Sequence, residues 1–262
     1  MLEFGPADGS NIVSCKQLEM KSNFPLNFTR QIDALEPSSN VAVITFVGSL
    51  CPVTRAHVLC VEEARKVVLD EQSEFSGTSS RPKFVVAVIS VNGDYYVQSK
   101  LRKRGEPAIS AEKRRFLVDL ATQEFDWICS HQNAWRAVQE LRKIYPHLCF
   151  CQYELDGADV AFKNKVWTSC TQDHKRIVMG RACESGEFDP TQKIIEFMQQ
   201  GTIPSANFML GPILPDISST RVRDALRTQD IVALREMLCP RVLEWLLANS
   251  PYSSNKMMRS MA

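Results

Sequence analysis

The sequence predicts an α/β fold: a Rossmann-like, doubly wound parallel sheet with C-terminal helices and an irregular N-terminal extension. Three observations predict it. Short apolar, β-branched runs recur along the chain, led by VAVITFV at 41–47. Segments with the helical period of apolar residues separate those runs. No internal repeat or low-complexity tract interrupts the alternation, and strands that alternate with helices build parallel sheets with crossover helices.

In chain order, residues 1–40 carry Gly5, Pro6, Gly9, Pro25 and Pro37 with weak periodicity and are expected to be an irregular extension. VAVITFV has the β-branched content of a strand buried on both faces. The stretch from His57 to Leu69 sets Val58, Val61, Ala64, Val67 and Val68 on one helical face. DEQSEFSGTSSRPK at 70–83 is a polar loop, and FVVAVIS at 84–90 is a second strand. SAEKRRFLVDLATQEF opens on Ser110, a good N-cap, and turns Phe116, Leu117, Leu120 and Ala121 inward. Residues 133–145 have a helical pattern. CFCQYEL at 149–155 alternates like a strand, and RIVMG at 176–180 is a short strand followed by Arg181. A helix starts near Pro190 and ends at Gly201. NFMLG at 207–211 is the last strand. Two helices close the chain. One is capped by Ser219 or Thr220; the other begins after Asp230 and reaches Leu247 with a break near Pro240. The expected organisation is an extension over 1–40, one α/β domain over 41–250 and a flexible tail over 251–262.

Composition narrows the function. The 262 residues are 44% hydrophobic, enough for a sizeable core, and 23% charged with a net charge of +1. That balance carries no global signal for nucleic-acid or membrane binding. The nine cysteines are odd in number and contain no CxxC pair. Reduced, mostly buried thiols are expected, in preference to a disulfide framework or a zinc site. No apolar run approaches the roughly 18 residues of a membrane helix, and no basic start precedes an apolar core at the N-terminus. The expected location is cytosolic or nuclear.

Two segments carry chemistry. The first is GSLCPVTRAH, from Gly48 to His57, at the exit of the first strand. In an open α/β sheet ligands bind beyond the carboxyl ends of the strands. Gly48 permits a sharp turn and close approach of a ligand. Backbone N–H groups there and at the next helix N-terminus suit phosphate oxygens, with His57 in the first turn as a further donor. The segment is neither a Walker A loop nor GxGxxG. The second is PDISSTRVRDAL, with Ser219 and Thr220 at a helix start and Arg221 and Arg223 in its first turn. Arginines at a helix N-terminus oppose its dipole at a cost of a few tenths to ~1 kcal/mol each, and a bound polyphosphate reverses that sign. Each segment alone also fits a plain structural role; the pair is far more specific.

GSLCPVTRAH together with ISSTRVR resembles the nicotinamide/nicotinate mononucleotide adenylyltransferase family of the HIGH-type nucleotidyltransferases, which carries GxFxPxT/HxxH after strand one and ISSTxxR late in the chain. GDYY, KRGEPAISAEKRRFLVDLA, FDWICSHQNAW, LDGADV, KVWT and RIVMGR resemble further family segments, so the likeness spans about 41–247. The chain departs from the family at Leu50 and Cys51, where an aromatic residue and often Asn are usual. It departs again at Cys129, where an acidic residue is common, and in a longer 94–105 loop.

The resemblance implies an enzyme that transfers AMP from ATP to nicotinamide or nicotinate mononucleotide, giving NAD or deamido-NAD and pyrophosphate. It implies Mg²⁺ held mainly by phosphates, with no protein metal site. His57, Thr54 and Arg223 would be catalytic. Gly48, Ser49, Ser219, Thr220 and Arg223 would bind the phosphates, with Arg181 a further contact. Gly157 and Asp159 would meet the adenosine ribose. Trp127 and Trp167 would flank the pyridine ring, and Lys103 or Arg104 would reach the mononucleotide phosphate. The implied partners are ATP and NMN or NaMN, with no nucleic acid and no membrane, and family members vary in oligomeric state. Alternatives are another nucleotidyltransferase, such as one acting on phosphopantetheine, and a non-catalytic nucleotide-binding or chaperone-like protein on this fold.

Overall fold

A computed structural model describes residues 15–69, 82–181, 188–249 and 251–252. Six strands form one sheet: β1 (Asn40–Gly48), β2 (Phe84–Val91), β3 (Ile128–Ser130), β4 (Cys149–Gly157), β5 (His174–Arg181) and β6 (Phe208–Leu214). All are parallel, in the order β3-β2-β1-β4-β5-β6. The expected doubly wound α/β class is therefore the observed one. Because the strands are parallel, their carboxyl ends share one edge, and the order reverses between β1 and β4.

Side-chain alternation divides the interior into two layers. Ala42 and Ile44 of β1 and Val85, Ala87 and Ile89 of β2 face a core shared with α3 (Arg55–Leu69), α5 (Ala111–Thr122) and the C-terminal helices α9 (Ser219–Thr228), α10 (Ile231–Met237) and α11 (Pro240–Asn249). Val41, Val43, Val86 and Val88 face the other way, onto α6 (Ala134–Ile144) and α2 (Leu26–Asp33). A third cluster lies under α7 (Ala158–Asn164) and α8 (Pro190–Gln199).

Four expectations are corrected. Part of the extension read as irregular is helical. α1 (Cys15–Lys21) and α2 flank a turn at Phe24, and Phe24, Phe28 and Ile32 are buried against α6. Pro25 sits at the N-cap, where a proline starts a helix as readily as it breaks one. The stretch after β2, read as a loop, contains α4 (Asp94–Arg102). The cap of α9 is Ser218, whose hydroxyl accepts the Arg221 N–H at 3.3 Å, not Ser219 or Thr220. The tail begins anchored, with Tyr252 buried. The remaining tail residues, the loop at 70–81 and residues 1–14 lie outside the described residues.

Candidate functional site

The carboxyl edge beside the reversal point is built by the β1–α3 loop. The Gly48 carbonyl accepts the Asn92 N–H at 2.8 Å, tying the exits of β1 and β2 together. A Cβ at Gly48 would lie 3.0 Å from the Leu50 side chain, so the turn is closed over this glycine. Leu50 has φ +41° and the Cys51–Pro52 peptide is cis. Leu50, Cys51, Pro52, Val53 and Thr54 are all buried.

Arg114 of α5 holds this turn from below. Its guanidinium is fully buried and donates to the carbonyls of Ile109 at 2.9 Å, Ser49 at 2.7 Å and Asn92 at 2.7 Å. Asp94 supplies the compensating charge at 3.1 Å and also accepts the Ala111 N–H at 2.5 Å. One buried arginine thus fixes the exits of β1 and β2 and the start of α5. Buried charge is tolerated only with this degree of pairing.

His57 sits half-buried in the first turn of α3. The Thr54 backbone N–H donates to His57 Nδ1 at 3.0 Å, and Thr54 Oγ1 lies 2.7 Å from the same atom. A backbone N–H can only donate, so Nδ1 is the acceptor and the neutral ring carries its proton on Nε2. Thr54 therefore sets the tautomer that makes His57 a hydrogen-bond donor. Phe46 fixes the ring further at a centroid distance of 6.0 Å.

The late segment reaches the same loop. α9 starts beyond the carboxyl end of β6, three strands from β1, and crosses back over the edge. Ser219 Oγ donates to the Pro52 carbonyl at 2.8 Å. Arg223 Nη1 donates to the Cys51 carbonyl at 3.0 Å. The structure thus brings Gly48, Ser49, Thr54, His57, Ser219, Thr220 and Arg223 into one region.

The charges there are not arranged as the bare sequence suggests. Arg223 is 3% exposed and pairs with Glu106 at 2.7 Å, while Arg221 is exposed and pairs with Asp216 at 3.0 Å. The anions that offset two arginines at this helix start are the protein's own carboxylates. Glu106 also takes Arg227 at 2.9 Å. Arg223 consequently fixes the loop through the Cys51 carbonyl. Arg104 is exposed, and its Nη1 donates to Thr220 Oγ1 at 2.9 Å. Thr220 Oγ1 accepts from Arg223 Nη2 as well, at 3.3 Å. Two accepted bonds occupy its lone pairs, so its own O–H serves as a donor. Lys103 closes α4 beside Arg104 and is exposed.

On the other side of the reversal point, Gly157 ends β4 and is the N-cap of α7, with Asp159 exposed in the first turn. A Cβ on Gly157 would lie 2.9 Å from the Asp159 carboxylate. Arg181 ends β5 at the same edge; its side chain lies outside the described ones.

The tryptophans divide differently. Trp127 precedes β3, and its carbonyl accepts the Ala87 N–H at 2.8 Å, mid-strand in β2. Arg65 lies over its ring at 4.4 Å and Phe125 meets it edge-on at 6.0 Å. Arg65 is eight residues beyond His57 on α3, about 12 Å along the helix, so Trp127 is not brought to the loop. Trp167 is buried among Phe162, Phe197 and Phe208, with centroids at 6.4, 6.0 and 6.3 Å. Trp135 is the tryptophan at the carboxyl edge: it lies in the first turn of α6, directly after β3, and is 64% exposed. Its signal in the sequence is the third residue of NAW, just after the Asn133 cap, whose side chain accepts the Arg136 N–H at 2.9 Å.

Glu106 and Arg114 hold the loop, and Trp135 stands at the same edge of the sheet after β3; the sequence analysis singles out none of the three. Among the described residues Cys51, Cys60 and Cys129 are buried free thiols, and burial pushes Cys60 up to about 12. Among the described residues no group of three or more His, Cys, Asp or Glu is placed to hold a metal ion. No helix among them is long and apolar enough to cross a membrane. No protein-family model matches the chain, and a search of curated proteins finds no match.

Proposed function

We propose that the protein is an adenylyltransferase that joins ATP to nicotinamide or nicotinate mononucleotide, forming NAD or deamido-NAD and pyrophosphate. One observation carries this reading: the Gly48–His57 loop and the Ser218–Arg223 helix start meet directly, through Ser219 to Pro52 at 2.8 Å and Arg223 to Cys51 at 3.0 Å. Support also comes from the donors gathered there: His57 with its proton on Nε2, the Thr220 hydroxyl and the Arg104 guanidinium. All suit a polyphosphate at the edge of a doubly wound sheet.

In this reading a phosphate oxygen of the mononucleotide attacks the α-phosphorus of ATP. A P–O bond forms, the bond from the α-phosphorus to the α,β-bridging oxygen breaks, and pyrophosphate leaves with the electron pair. The nucleophile is already anionic, so no general base is needed. The chain's task is alignment and stabilisation of charge on the transferring and leaving groups. Mg²⁺ accompanying ATP would supply charge screening for the phosphates. His57 donates to those phosphates. Arg223, paired with Glu106, holds the loop that orients them. Gly157 and Asp159 face the adenosine ribose across the reversal point. The exposed indole of Trp135 offers the pyridine ring a flat face at the edge.

The test is product analysis. Protein, ATP and Mg²⁺ are incubated with each acceptor of a panel: NMN, NaMN and phosphopantetheine. Dinucleotide formed with a pyridine mononucleotide supports the reading. Product only with phosphopantetheine assigns another adenylyltransferase. ATP binding with no pyrophosphate release from any acceptor assigns a non-catalytic nucleotide-binding protein.

A further inference from the structure

The chain beyond α11 returns to the loop that carries His57. Tyr252 is 1% exposed and is among the largest fully buried side chains. Its hydroxyl lies 3.4 Å from Cys51 Sγ, 201 positions away in sequence. The guanidinium of Arg223 lies 6.0 Å from the Tyr252 ring centroid. Cys51 is therefore gripped from three directions. Its sulfur meets the Tyr252 hydroxyl and accepts the Ile109 N–H at 3.5 Å, and its carbonyl accepts from Arg223. Ser219 holds the next carbonyl, that of Pro52. Thr54 and His57 follow within one turn.

Burial pushes the Tyr252 phenol up, with Cys51 and Glu106 adding to the shift and Arg223 opposing it, so the ring is neutral at physiological pH. A neutral aromatic wedge suits this place. It fills the space behind the loop, caps a thiol and lies against a guanidinium whose charge Glu106 already balances. The loop itself has few means of holding its own shape, because Leu50 has positive φ without being glycine. Its shape is imposed by what packs behind it.

We propose that Tyr252 is a positioning residue: the C-terminal segment wedges it behind Cys51 and thereby fixes the β1–α3 loop in the geometry that presents His57. Tyr252 meets the loop through Cys51 and lies against Arg223, which holds the Cys51 carbonyl. Its effect on turnover rests on the adenylyltransferase reading; its effect on the loop does not.

The experiment compares the full chain with Tyr252→Phe, Tyr252→Leu and Tyr252→Ala in two assays. Iodoacetamide labelling of the native protein, read by peptide mass spectrometry, follows Cys51 against the exposed Cys149. Steady-state kinetics gives KM for ATP and for the mononucleotide. Protection of Cys51 is expected in the wild type and in Tyr252→Phe, with at least a tenfold faster labelling in Tyr252→Ala, since exposure controls thiol reactivity. KM for ATP should rise at least about tenfold in Tyr252→Ala, and KM for the mononucleotide much less, because small misplacements of aligned groups are costly. Tyr252→Phe should restore both. Tyr252→Leu keeps apolar bulk and serves if Tyr252→Ala does not fold. Fast labelling of Cys51 in the wild type overturns the proposal, as do unchanged protection in whichever of the Leu and Ala variants fold and equal rises of the two KM values. If the wild type makes no dinucleotide, the adenylyltransferase reading has failed, and the labelling contrast alone decides whether Tyr252 holds the loop.

Discussion

His57 shows how one backbone group can set the chemistry of a side chain. The Thr54 N–H at 3.0 Å makes Nδ1 an acceptor, which places the ring proton on Nε2. His57→Ala removes a preorganised donor and should lower kcat/KM for dinucleotide formation by at least ~10², about 3 kcal/mol. Turnover within a few-fold of wild type would remove His57 from the proposed chemistry. Glu106 is the opposite case, a carboxylate that neutralises instead of acting. It balances a guanidinium that is 3% exposed, and also reaches Arg227. Glu106→Ala leaves Arg223 buried without its partner and should cost about 3 kcal/mol or more in urea unfolding. A loss below ~1 kcal/mol would mean that the pair is solvated. His57 and Ser219 were legible in the sequence because they belong to local patterns. Glu106 and Arg114 were not, since an ion pair between residues 117 apart and an arginine feeding carbonyls 22 and 65 positions away have no spacing signature.

Among the elements, α9 and α2 differ most from what their sequences suggest. α9 is legible as a helix, but the sequence points to a cap one or two residues later than the observed one. Ser218, Ser219 and Thr220 are all good caps by type, and the structure gives Ser218 the cap while Ser219 bonds across to Pro52 and Thr220 meets Arg104 and Arg223. Ser218→Ala should therefore destabilise by about 1 kcal/mol with little effect on KM, checked by thermal unfolding alongside kinetics. A marked rise in KM for ATP without loss of stability would reverse that assignment. α2 was hidden by Pro25 and by the shortness of the helix. Its apolar residues become visible only against α6, where Phe28 is fully buried. Phe28→Ala should cost about 3–5 kcal/mol, measured by urea unfolding. A cost near zero would mean that the extension is not part of the folded domain. The strands were the most legible elements, because a parallel sheet covered on both faces needs continuous apolar runs.

For the whole molecule, the order β3-β2-β1-β4-β5-β6 does what no single segment can. It puts the exits of β1 and β4 side by side at the reversal point and lets α9 return from the far edge to the β1 loop. The convergence of the two segments was legible as an expectation, since both follow strands whose carboxyl ends must share one edge. The positions of the tryptophans were not, because a strand exit and a strand start look alike in sequence. Trp127 lies beside the far end of α3, whereas Trp135 stands at the open edge. Transfer of an adenylyl group at this edge is what we propose. Its most direct measurement uses ATP labelled at the α-phosphate, with Mg²⁺ and NMN or NaMN, and follows the label by chromatography. Label is expected in the dinucleotide, with unlabelled pyrophosphate, and both should be lost in His57→Ala. Label that stays in ATP, or leaves only as ADP or free AMP with every pyridine mononucleotide, would contradict it.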